Sequence, residues 1–307
     1  MNRIFLFPGQ GSQSVGMGKD LAESFPAART RYQEAAEVLG FDLARICFSG
    51  PEDELRQTRN TQPALYVHSC ILTDLLAERS FIPDAAAGHS LGEYSALYAA
   101  GVFSFADGLR LVKQRAEAMQ HAGTIGAGTM AAIVGLDDDK VVVMCDELKS
   151  EGVVVPANFN SPGQLVISGD VPMIKKAVEI ARARGAKLAR ELPVSGAFHS
   201  PLMKPAAESL TAALKKAQLA VPRIPVVSNV TAKPHTDVES LRSLLAAQLL
   251  SPVRWTESIR TLNAIGGVKW YEVGSGNVLS GLLKRTISGA AAVTIGSAAD
   301  LQKLEQE

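Results

Sequence analysis

The most distinctive chemical feature of the sequence is a serine placed between glycines. Residues 88–92 form a G-x-S-x-G pattern with Ser90 at its centre. An apolar stretch precedes the pattern and a helical pattern begins at Glu93, which is the order of strand, tight turn and helix that an exposed nucleophilic serine requires. Glycines leave room for the close backbone approach, and the helix N-terminus offers free N–H groups to an oxyanion. This context favours Ser90 as a nucleophile over a chance match to a short motif.

A serine nucleophile needs a base, and the chain has five histidines. Four have ordinary structural interpretations, inside a helix, at a helix end, in a turn and within the motif itself: His68, His121, His235 and His89. His199 differs because residues 195–201 lie where the chain is expected to return from a small domain to a large one, and pockets favour such junctions. Its position fits a base and a packed side chain equally well.

Arg115 has an unusual place in a predicted helix. Leu109, Val112, Ala116 and Met119 mark the buried face of that helix, and their spacing puts Arg115 on the same face. A guanidinium is costly to bury without an anion. The position therefore indicates either a carboxylate ligand held in a bidentate pair or a structural salt bridge, and the spacing leaves both open.

Two glycine-containing loops, at residues 7–13 and 274–277, could be mistaken for nucleotide-binding loops. The first has Ser14 where the dinucleotide fingerprint requires glycine, and no acidic residue closes a second strand at the expected spacing. Nucleotide binding is therefore not expected.

The segments that must position these residues alternate between short apolar runs and amphipathic patterns. Buried strands are predicted at Ile4 to Phe7, Ala85 to Ala87, Pro225 to Ser228 and Val268 to Val273. Helices are predicted from 61–63 to about Arg79, and from Phe105 to about His121 with a cap at Gly123. The alternation predicts an α/β fold whose large domain has a mostly parallel sheet covered on both faces, and the G-x-S-x-G turn makes that domain hydrolase-like.

Residues 125–195 have a different pattern. Strands and helices are predicted in the order βαββαβ, which is typical of a ferredoxin-like unit. A turn at 160–163 separates the two central strands, and Gly185 ends the second helix. The sequence thus predicts a small ferredoxin-like subdomain at 125–195, inserted into a discontinuous large domain at 1–124 and 196–307.

The composition excludes several classes of protein. The chain has 307 residues, 47% of them apolar and 20% charged, which supports a large core and excludes disorder. Basic and acidic residues number 31 each, so no broad basic face for nucleic acid or an anionic membrane is expected. Three widely spaced cysteines indicate neither a disulfide framework nor a zinc site. With no leader-like N-terminus and no apolar run of about 18 residues, a cytoplasmic chain is predicted.

Several blocks of sequence occur together, and they span essentially the whole chain. In order they are Phe7-Pro8-Gly9-Gln10-Gly11-Ser12-Gln13, Thr61-Gln62-Pro63-Ala64-Leu65, Gly88-His89-Ser90-Leu91-Gly92-Glu93-Tyr94, Arg115, Asn158-Phe159-Asn160-Ser161-Pro162-Gly163-Gln164, Ala197-Phe198-His199-Ser200, and Gln248 ahead of Pro252-Val253. The set resembles the malonyl-CoA:acyl carrier protein transacylases, the malonyl-loading enzymes of dissociated fatty acid synthesis. Several independent blocks are far more specific than G-x-S-x-G alone.

The resemblance implies a ping-pong acyl transfer. Ser90 would attack the malonyl thioester with His199 as general base, and His199 would then activate the pantetheine thiol of the acyl carrier protein. The main-chain carbonyl of Gln248 would orient His199, and the backbone N–H groups of Gln10 and Leu91 would form the oxyanion hole.

The same resemblance gives Arg115 the free carboxylate of the malonyl group to bind, with Gln62 and Asn160 lining the pocket. It implies no cofactor and no metal, and malonyl-CoA counts as a substrate and not as a cofactor. The expected partner is an acidic holo acyl carrier protein that binds transiently, and neither nucleic acid nor a membrane is expected. A monomer is predicted. Four basic residues are suggested as the docking patch for the carrier: Lys187, Arg190, Lys284 and Arg285.

Three alternatives stay open at this point. A serine esterase or thioesterase of the α/β-hydrolase type would share the motif, although that fold expects an acidic residue and then a late histidine after the serine. A stand-alone acyltransferase of a polyketide pathway would use the same residues. A carrier-binding scaffold that had lost its chemistry would have no need of the intact set Ser90, His199 and Arg115.

Overall fold

The structure, a computed structural model, describes residues 2–126, 128–266 and 268–304. The strands in these ranges are β1 (Asn2–Phe7), β2 (Ala85–Gly88), β3 (Gly128–Val134), β4 (Val154–Ser161), β5 (Gln164–Asp170), β6 (Leu188–Glu191), β7 (Val226–Val227), β8 (Val268–Val273) and β9 (Ala292–Ile295). The α-helices are α1 (Lys19–Ser24), α2 (Pro26–Leu39), α3 (Leu43–Ser49), α4 (Glu52–Arg56), α5 (Thr58–Glu78), α6 (Gly92–Ala99), α7 (Phe105–Ile125), α8 (Asp138–Leu148), α9 (Val171–Ala183), α10 (Lys204–Lys216), α11 (Val238–Ala247), α12 (Trp255–Asn263), α13 (Val278–Thr286) and α14 (Ala298–Leu304). Within these ranges, no helix combines the length and the apolar character needed to cross a membrane.

The larger sheet consists of five parallel strands in the order β7-β2-β1-β8-β9. Phe5 and Phe7 of β1 belong to the main hydrophobic core, whereas Ile4 and Leu6 belong to a second core. Alternate residues of a strand face opposite sides of a sheet, so a strand that is covered on both sides must be apolar throughout. The predicted parallel α/β architecture is confirmed.

The smaller sheet consists of four antiparallel strands in the order β4-β5-β3-β6. Along the chain its elements run β3, α8, β4, β5, α9 and β6, and they share a hydrophobic core of their own. The predicted βαββαβ unit is confirmed. Its strands lie within residues 125–195, but the limits assigned to the two domains stay a prediction, and residues 1, 127, 267 and 305–307 of those ranges lie outside the described part.

Several boundaries differ from the sequence prediction. Helix α7 does not stop at Gly123 but continues to Ile125. A Cβ atom at residue 123 would lie 2.1 Å from the carbonyl oxygen of Ser195, so the returning chain, and not a helix end, requires glycine here. Helix α5 begins at Thr58, before the predicted start. The pattern did not predict β9, an edge strand whose Val293 is exposed and which therefore lacks a continuous buried run.

Strand β4 attaches the small sheet to the segment that leads into α12 and to α12 itself. The N–H of Phe159 donates to the carbonyl oxygen of Val253 at 2.9 Å, and the N–H of Val253 donates to that of Ala157 at 2.8 Å. The hydroxyl of Thr256 also donates to the Phe159 carbonyl, at 3.1 Å. These bonds hold the small sheet beside the carboxyl ends of β1 and β2, where the G-x-S-x-G turn lies.

Candidate active site

Ser90 lies in a strained turn between β2 and α6. Its φ angle is 51°, in the left-handed region that non-glycine residues rarely adopt. The turn can be this tight only without side chains at its two glycines. A Cβ at residue 88 would lie 1.8 Å from the carbonyl carbon of Gly92, and one at residue 92 would lie 2.1 Å from the carbonyl oxygen of Phe7. The geometry is that of a nucleophile elbow.

His199 lies within hydrogen-bond distance of the serine hydroxyl. The distance from Ser90 Oγ to His199 Nε2 is 2.9 Å. On the other side of the ring, Nδ1 lies 2.8 Å from the main-chain carbonyl oxygen of Gln248 and 3.2 Å from that of Ser251. A carbonyl only accepts hydrogen bonds, so Nδ1 carries the proton and Nε2 is free to accept one from the serine.

The surroundings of His199 keep it neutral. Its side chain is buried, and burial, followed by the nearby Arg115 charge, lowers the pKa of its imidazole from 6.5 to about 3. A neutral imidazole at neutral pH is the form that can accept a proton from a serine.

Arg115 is 0% exposed and faces the same hydroxyl. Its Nη2 donates to Ser90 Oγ at 3.0 Å and to Gln248 Oε1 at 2.8 Å, and its Nη1 donates to Gln62 Oε1 at 2.6 Å. Burial lowers the pKa of the guanidinium. The predicted inward direction is correct. Among the described residues its hydrogen-bond acceptors are neutral and no carboxylate pairs with it directly, so the structural salt bridge that the sequence left open is not found.

The two predicted oxyanion donors both belong to the lining of the cavity. Leu91 caps the N-terminus of α6, and Gln10 follows β1. Neither backbone N–H donates to another group in the described part of the chain, and both residues line the cavity. The loop that carries Gln10 approaches the elbow closely, since a Cβ at residue 9 would lie 2.3 Å from the His89 carbonyl oxygen.

A cavity of about 200 Å³ opens over these residues, between the two sheets. Its polar end holds Ser90, His199 and Arg115. Its apolar wall comes from the small sheet, from the segment that returns to the large sheet and from α13, through Met130, Val166, Leu192, Val194, Val278 and Leu282. The site lies at the junction where the sequence placed it.

The last two predicted pocket residues make different contacts. Gln62 holds the Arg115 guanidinium with its carbonyl oxygen and lies 3.3 Å from Met119 Sδ through Nε2. Asn160 makes no hydrogen bond to Ser90 or His199 in the described part of the chain. Its Oδ1 lies 2.8 Å from His89 Nε2, so it ties β4 to the elbow while lining the cavity.

Comparison with known proteins agrees with this geometry. A family model described as an acyl transferase domain matches residues 4–302. The chain belongs to the acyl transferase family. Among curated relatives, the malonyl CoA-acyl carrier protein transacylase of Salmonella typhimurium is 45% identical over 298 residues, which cover 97% of this chain and 96% of the relative. That of Bacillus subtilis is 47% identical over 287 residues, covering 93% and 90%.

Solved structures of acyl transferases have the same fold. An acyl carrier protein S-malonyltransferase from Vibrio cholerae superposes with a TM-score of 0.95 at 42% identity, covering 99% of this chain and 100% of the other. A malonyl-transacylase bound to its type II PKS acyl-carrier protein superposes with a TM-score of 0.96 at 42% identity, and all of both chains is covered.

Sequence reasoning missed two residues of this acyl transferase site. Asn229 accepts from the backbone N–H of Ser90 at 2.7 Å and donates to the carbonyl of Gly88 at 2.7 Å, which clamps the elbow. His235, given only an ordinary structural interpretation in a turn, is buried and bonds to Glu93. Glu93 lies inside the sequence block at 88–94, and that block was the sequence signal for the pair of Glu93 and His235. Asn229 gave none, because its role depends on β7 lying beside β2.

The four residues suggested for carrier docking are all exposed, but they lie on two separate elements. Lys187 and Arg190 are on or beside β6, at one edge of the small sheet. Lys284 and Arg285 are in the last turn of α13, which packs against β4 at the opposite edge. Arg285 also donates to the side chain of Gln164, a cavity residue. The candidates form two pairs on opposite sides of the cavity.

Proposed function

We propose that this acyl transferase moves the malonyl group of malonyl-CoA to the pantetheine thiol of an acyl carrier protein through an ester on Ser90. The observation that carries the proposal is the position of the Ser90 hydroxyl, 2.9 Å from the nitrogen of a neutral imidazole and 3.0 Å from a buried guanidinium. The first is what a nucleophile needs, and the second is what an acyl group with a free carboxylate needs.

In the first half-reaction, Ser90 Oγ attacks the thioester carbonyl while its proton passes to His199 Nε2. The carbonyl oxygen becomes an oxyanion that accepts hydrogen bonds from the N–H groups of Leu91 and Gln10. When this intermediate collapses, the carbon–sulfur bond breaks and the thiol of coenzyme A leaves with the proton from His199. The product is a malonyl ester on Ser90.

The second half-reaction runs the same steps in reverse with a different thiol. The pantetheine thiol of the carrier gives its proton to His199 and attacks the ester carbonyl, and Ser90 leaves with that proton. The carbonyl of Gln248 keeps the ring in the required tautomer during both halves. Because one base serves both steps in turn, the acyl donor, malonyl-CoA, and the acyl acceptor, the carrier, must occupy the cavity alternately.

Arg115 supplies the selectivity for a dicarboxylic acyl group. Its guanidinium is fixed by Gln62 and Gln248, so a carboxylate can bind without reorganising a flexible cation. A bidentate pair with the malonyl carboxylate also holds the ester in one orientation within a mostly apolar cavity. Both effects favour transfer to a thiol over attack by water.

The esterase alternative is not supported. Its fold places an acidic side chain behind the histidine, whereas the Nδ1 atom of His199 faces two main-chain carbonyls. Curated relatives over nearly the whole chain are named transacylases. One neighbour acts with a type II PKS carrier protein, and that chemistry would use the same residues as fatty acid synthesis.

An acyl carrier protein as partner is supported by the neighbour that was solved in complex with one. The two basic pairs on either side of the cavity suit an acidic carrier, and we keep them as its docking residues. That the protein is a monomer stays our prediction. That it works in the cytoplasm is also a prediction, and the three buried, free cysteines suit a reducing compartment.

The proposal is tested by the mass of the intact protein after mixing with malonyl-CoA. The wild-type chain should gain one malonyl group, and Ser90→Ala should gain none while keeping its melting temperature. Ser150→Ala, at an exposed serine, is the matched control and should acylate normally. Absence of the adduct from the wild-type chain would refute the ester mechanism, and release of free malonate without carrier would support an esterase.

A further inference from the structure

A buried carboxylate behind the nucleophile has no part in the steps above. Glu93 lies in the first turn of α6 and is 1% exposed. It accepts hydrogen bonds from His235 Nε2 at 2.8 Å, from Gln248 Nε2 at 2.6 Å and from the backbone N–H of Asn229 at 3.1 Å. Three donors on two oxygens fit the ionised carboxylate, which only accepts.

Gln248 connects this carboxylate to the pocket. Its Nε2 donates to Glu93 and to the Ser90 carbonyl, the latter at 3.1 Å, while its Oε1 accepts from Arg115 Nη2. The amide thus has an anion at its N–H end and a cation at its oxygen end, so both charges align its dipole. Arg115 and Glu93 are coupled through one side chain and not by direct contact.

Asn229 connects the same carboxylate to the elbow. Its N–H bonds to Glu93, and its side chain bridges the Ser90 N–H and the Gly88 carbonyl. A strained turn persists only where its surroundings fix it. One anion therefore anchors both the clamp on the nucleophile and the clamp on the guanidinium.

His235 completes the shell around Glu93. It follows the short bridge between Val227 and Pro234, and its own N–H donates to the Val226 carbonyl at 2.9 Å. The paired side chains of His235 and Glu93 are 0% and 1% exposed. No solvent is needed to satisfy either oxygen, so the carboxylate has one defined orientation.

We propose that Glu93, held by His235, is a positioning residue that fixes the malonyl selectivity of the site through Gln248. The inference rests on the proposed function. Glu93 touches neither the acyl group nor the reacting atoms. A charge-assisted hydrogen bond is stronger than a neutral one. Removing the charge of Glu93 therefore loosens Gln248, and with it the Arg115 guanidinium that binds the malonyl carboxylate. A neutral acyl group makes no such contact and loses less.

The test is the ratio of kcat/KM for malonyl-CoA to kcat/KM for acetyl-CoA in Glu93→Gln, which keeps the side-chain shape. We expect this ratio to fall about tenfold, the scale of one charge-assisted hydrogen bond. In an Arg115→Ala background the same substitution should leave the ratio unchanged, because the residue through which Glu93 acts is absent. A merely structural role would not produce this dependence on Arg115.

The matched control is Glu272→Gln. Glu272 is also a buried glutamate, and it accepts from the backbone N–H groups of Leu279 and Ser280 at 2.9 and 2.7 Å, not from the residues around Glu93. This substitution should lower the melting temperature without changing the selectivity ratio. It shows how much of any effect comes from loss of a buried charge in general.

Two outcomes would overturn the proposal. A Glu93→Gln variant with reduced melting temperature and wild-type selectivity would make Glu93 a structural residue only. A higher malonyl preference in Glu93→Gln would mean that the negative charge of Glu93 opposes binding of the malonyl carboxylate. If this variant does not fold, His235→Leu, which removes one donor and keeps the carboxylate, should lower the ratio in the same direction, and an unchanged ratio would count against us. Failure of the proposed function is distinct, since the wild-type chain would then form no malonyl ester.

Discussion

The two halves of the site are constructed differently. The Ser90 turn comes from one short run, residues 88–92, and its shape depends on two glycines whose Cβ atoms would overlap backbone. The pocket around Arg115 is assembled from partners that are 53 and 133 residues away in the chain. A turn limited by backbone contacts tolerates no side chain at its two glycine positions, whereas a pocket made of separate polar side chains can lose one member and keep its shape. Changes in the turn should therefore abolish all chemistry, and changes in the pocket should alter selectivity.

The largest effect is expected where the two halves meet. His199→Ala removes the base and should slow malonyl-Ser90 formation by about 10³-fold, within the range for a general base. The rate is measured by rapid quenching and intact mass. His121→Ala, at an exposed histidine of α7, should acylate at the wild-type rate. An active His199→Ala variant would mean that the 2.9 Å contact is not used in catalysis.

The pocket alone is tested by Arg115→Ala. This change should lower kcat/KM for malonyl-CoA by about 100-fold, since hydrogen bonds to charged groups contribute about 1.5–3 kcal/mol. Acetyl transfer should be retained, because an acetyl group has no carboxylate to bind. Arg110→Ala is the control in the same helix, at an exposed position. An equal loss of kcat/KM for malonyl-CoA and acetyl-CoA would mean that Arg115 supports the elbow. The turn and the pocket would then not have separate roles.

The turn alone is tested by Gly92→Ala. The added Cβ would lie 2.1 Å from the Phe7 carbonyl oxygen, so backbone must shift. We expect a loss of about 1–3 kcal/mol in the free energy of unfolding, as in other overpacked sites, with equal loss of malonyl and acetyl transfer. Gly281→Ala, in α13 with nothing within 4 Å of the added atom, should be neutral or stabilising by about 1 kcal/mol. Thermal or urea unfolding measures the stability of both variants, and kcat/KM for malonyl-CoA and acetyl-CoA measures the transfer. Preserved selectivity with reduced rate would sharpen the contrast with Arg115.

The smallest effect on the acylation rate is expected from pH. The folded-state pKa of His199 is lowered to about 3, so acylation should be nearly constant from about pH 5 to 8 instead of falling by half near 6.5. The unfolded chain binds a proton on this histidine below pH 6.5 and the folded chain does not. Stability should thus be full above 6.5 and fall as the pH drops toward 3. Acylation rates and urea unfolding across this range check both. A sigmoid in the acylation rate centred at 6.5 would show a solvated base.

The sequence predicted the turn more completely than the pocket. A tight turn leaves a local trace, because its glycines, its preceding strand and its following helix are contiguous. The inward direction of Arg115 was also predictable, since helical spacing decides which face is buried. Its neutral partners were not, because nothing local relates Gln62 to Gln248. Gly123 was interpreted wrongly as a helix cap for the same reason, since the Ser195 carbonyl that excludes a side chain there is remote in sequence.

What the sequence determined by itself was the alternation of strands and helices that gives the parallel sheet, the βαββαβ pattern and the strand-turn-helix context of Ser90, all of which depend on residues close along the chain. The resemblance implied that the Gln248 carbonyl orients His199, but only the tertiary structure shows this contact, the approach of His199 to Ser90, and the places of Glu93 and Asn229 behind the elbow. Those contacts arise only when the carboxyl ends of parallel strands converge beside the small sheet. Hydrophobic periodicity specifies which faces are buried, and only packing specifies which polar side chains then meet.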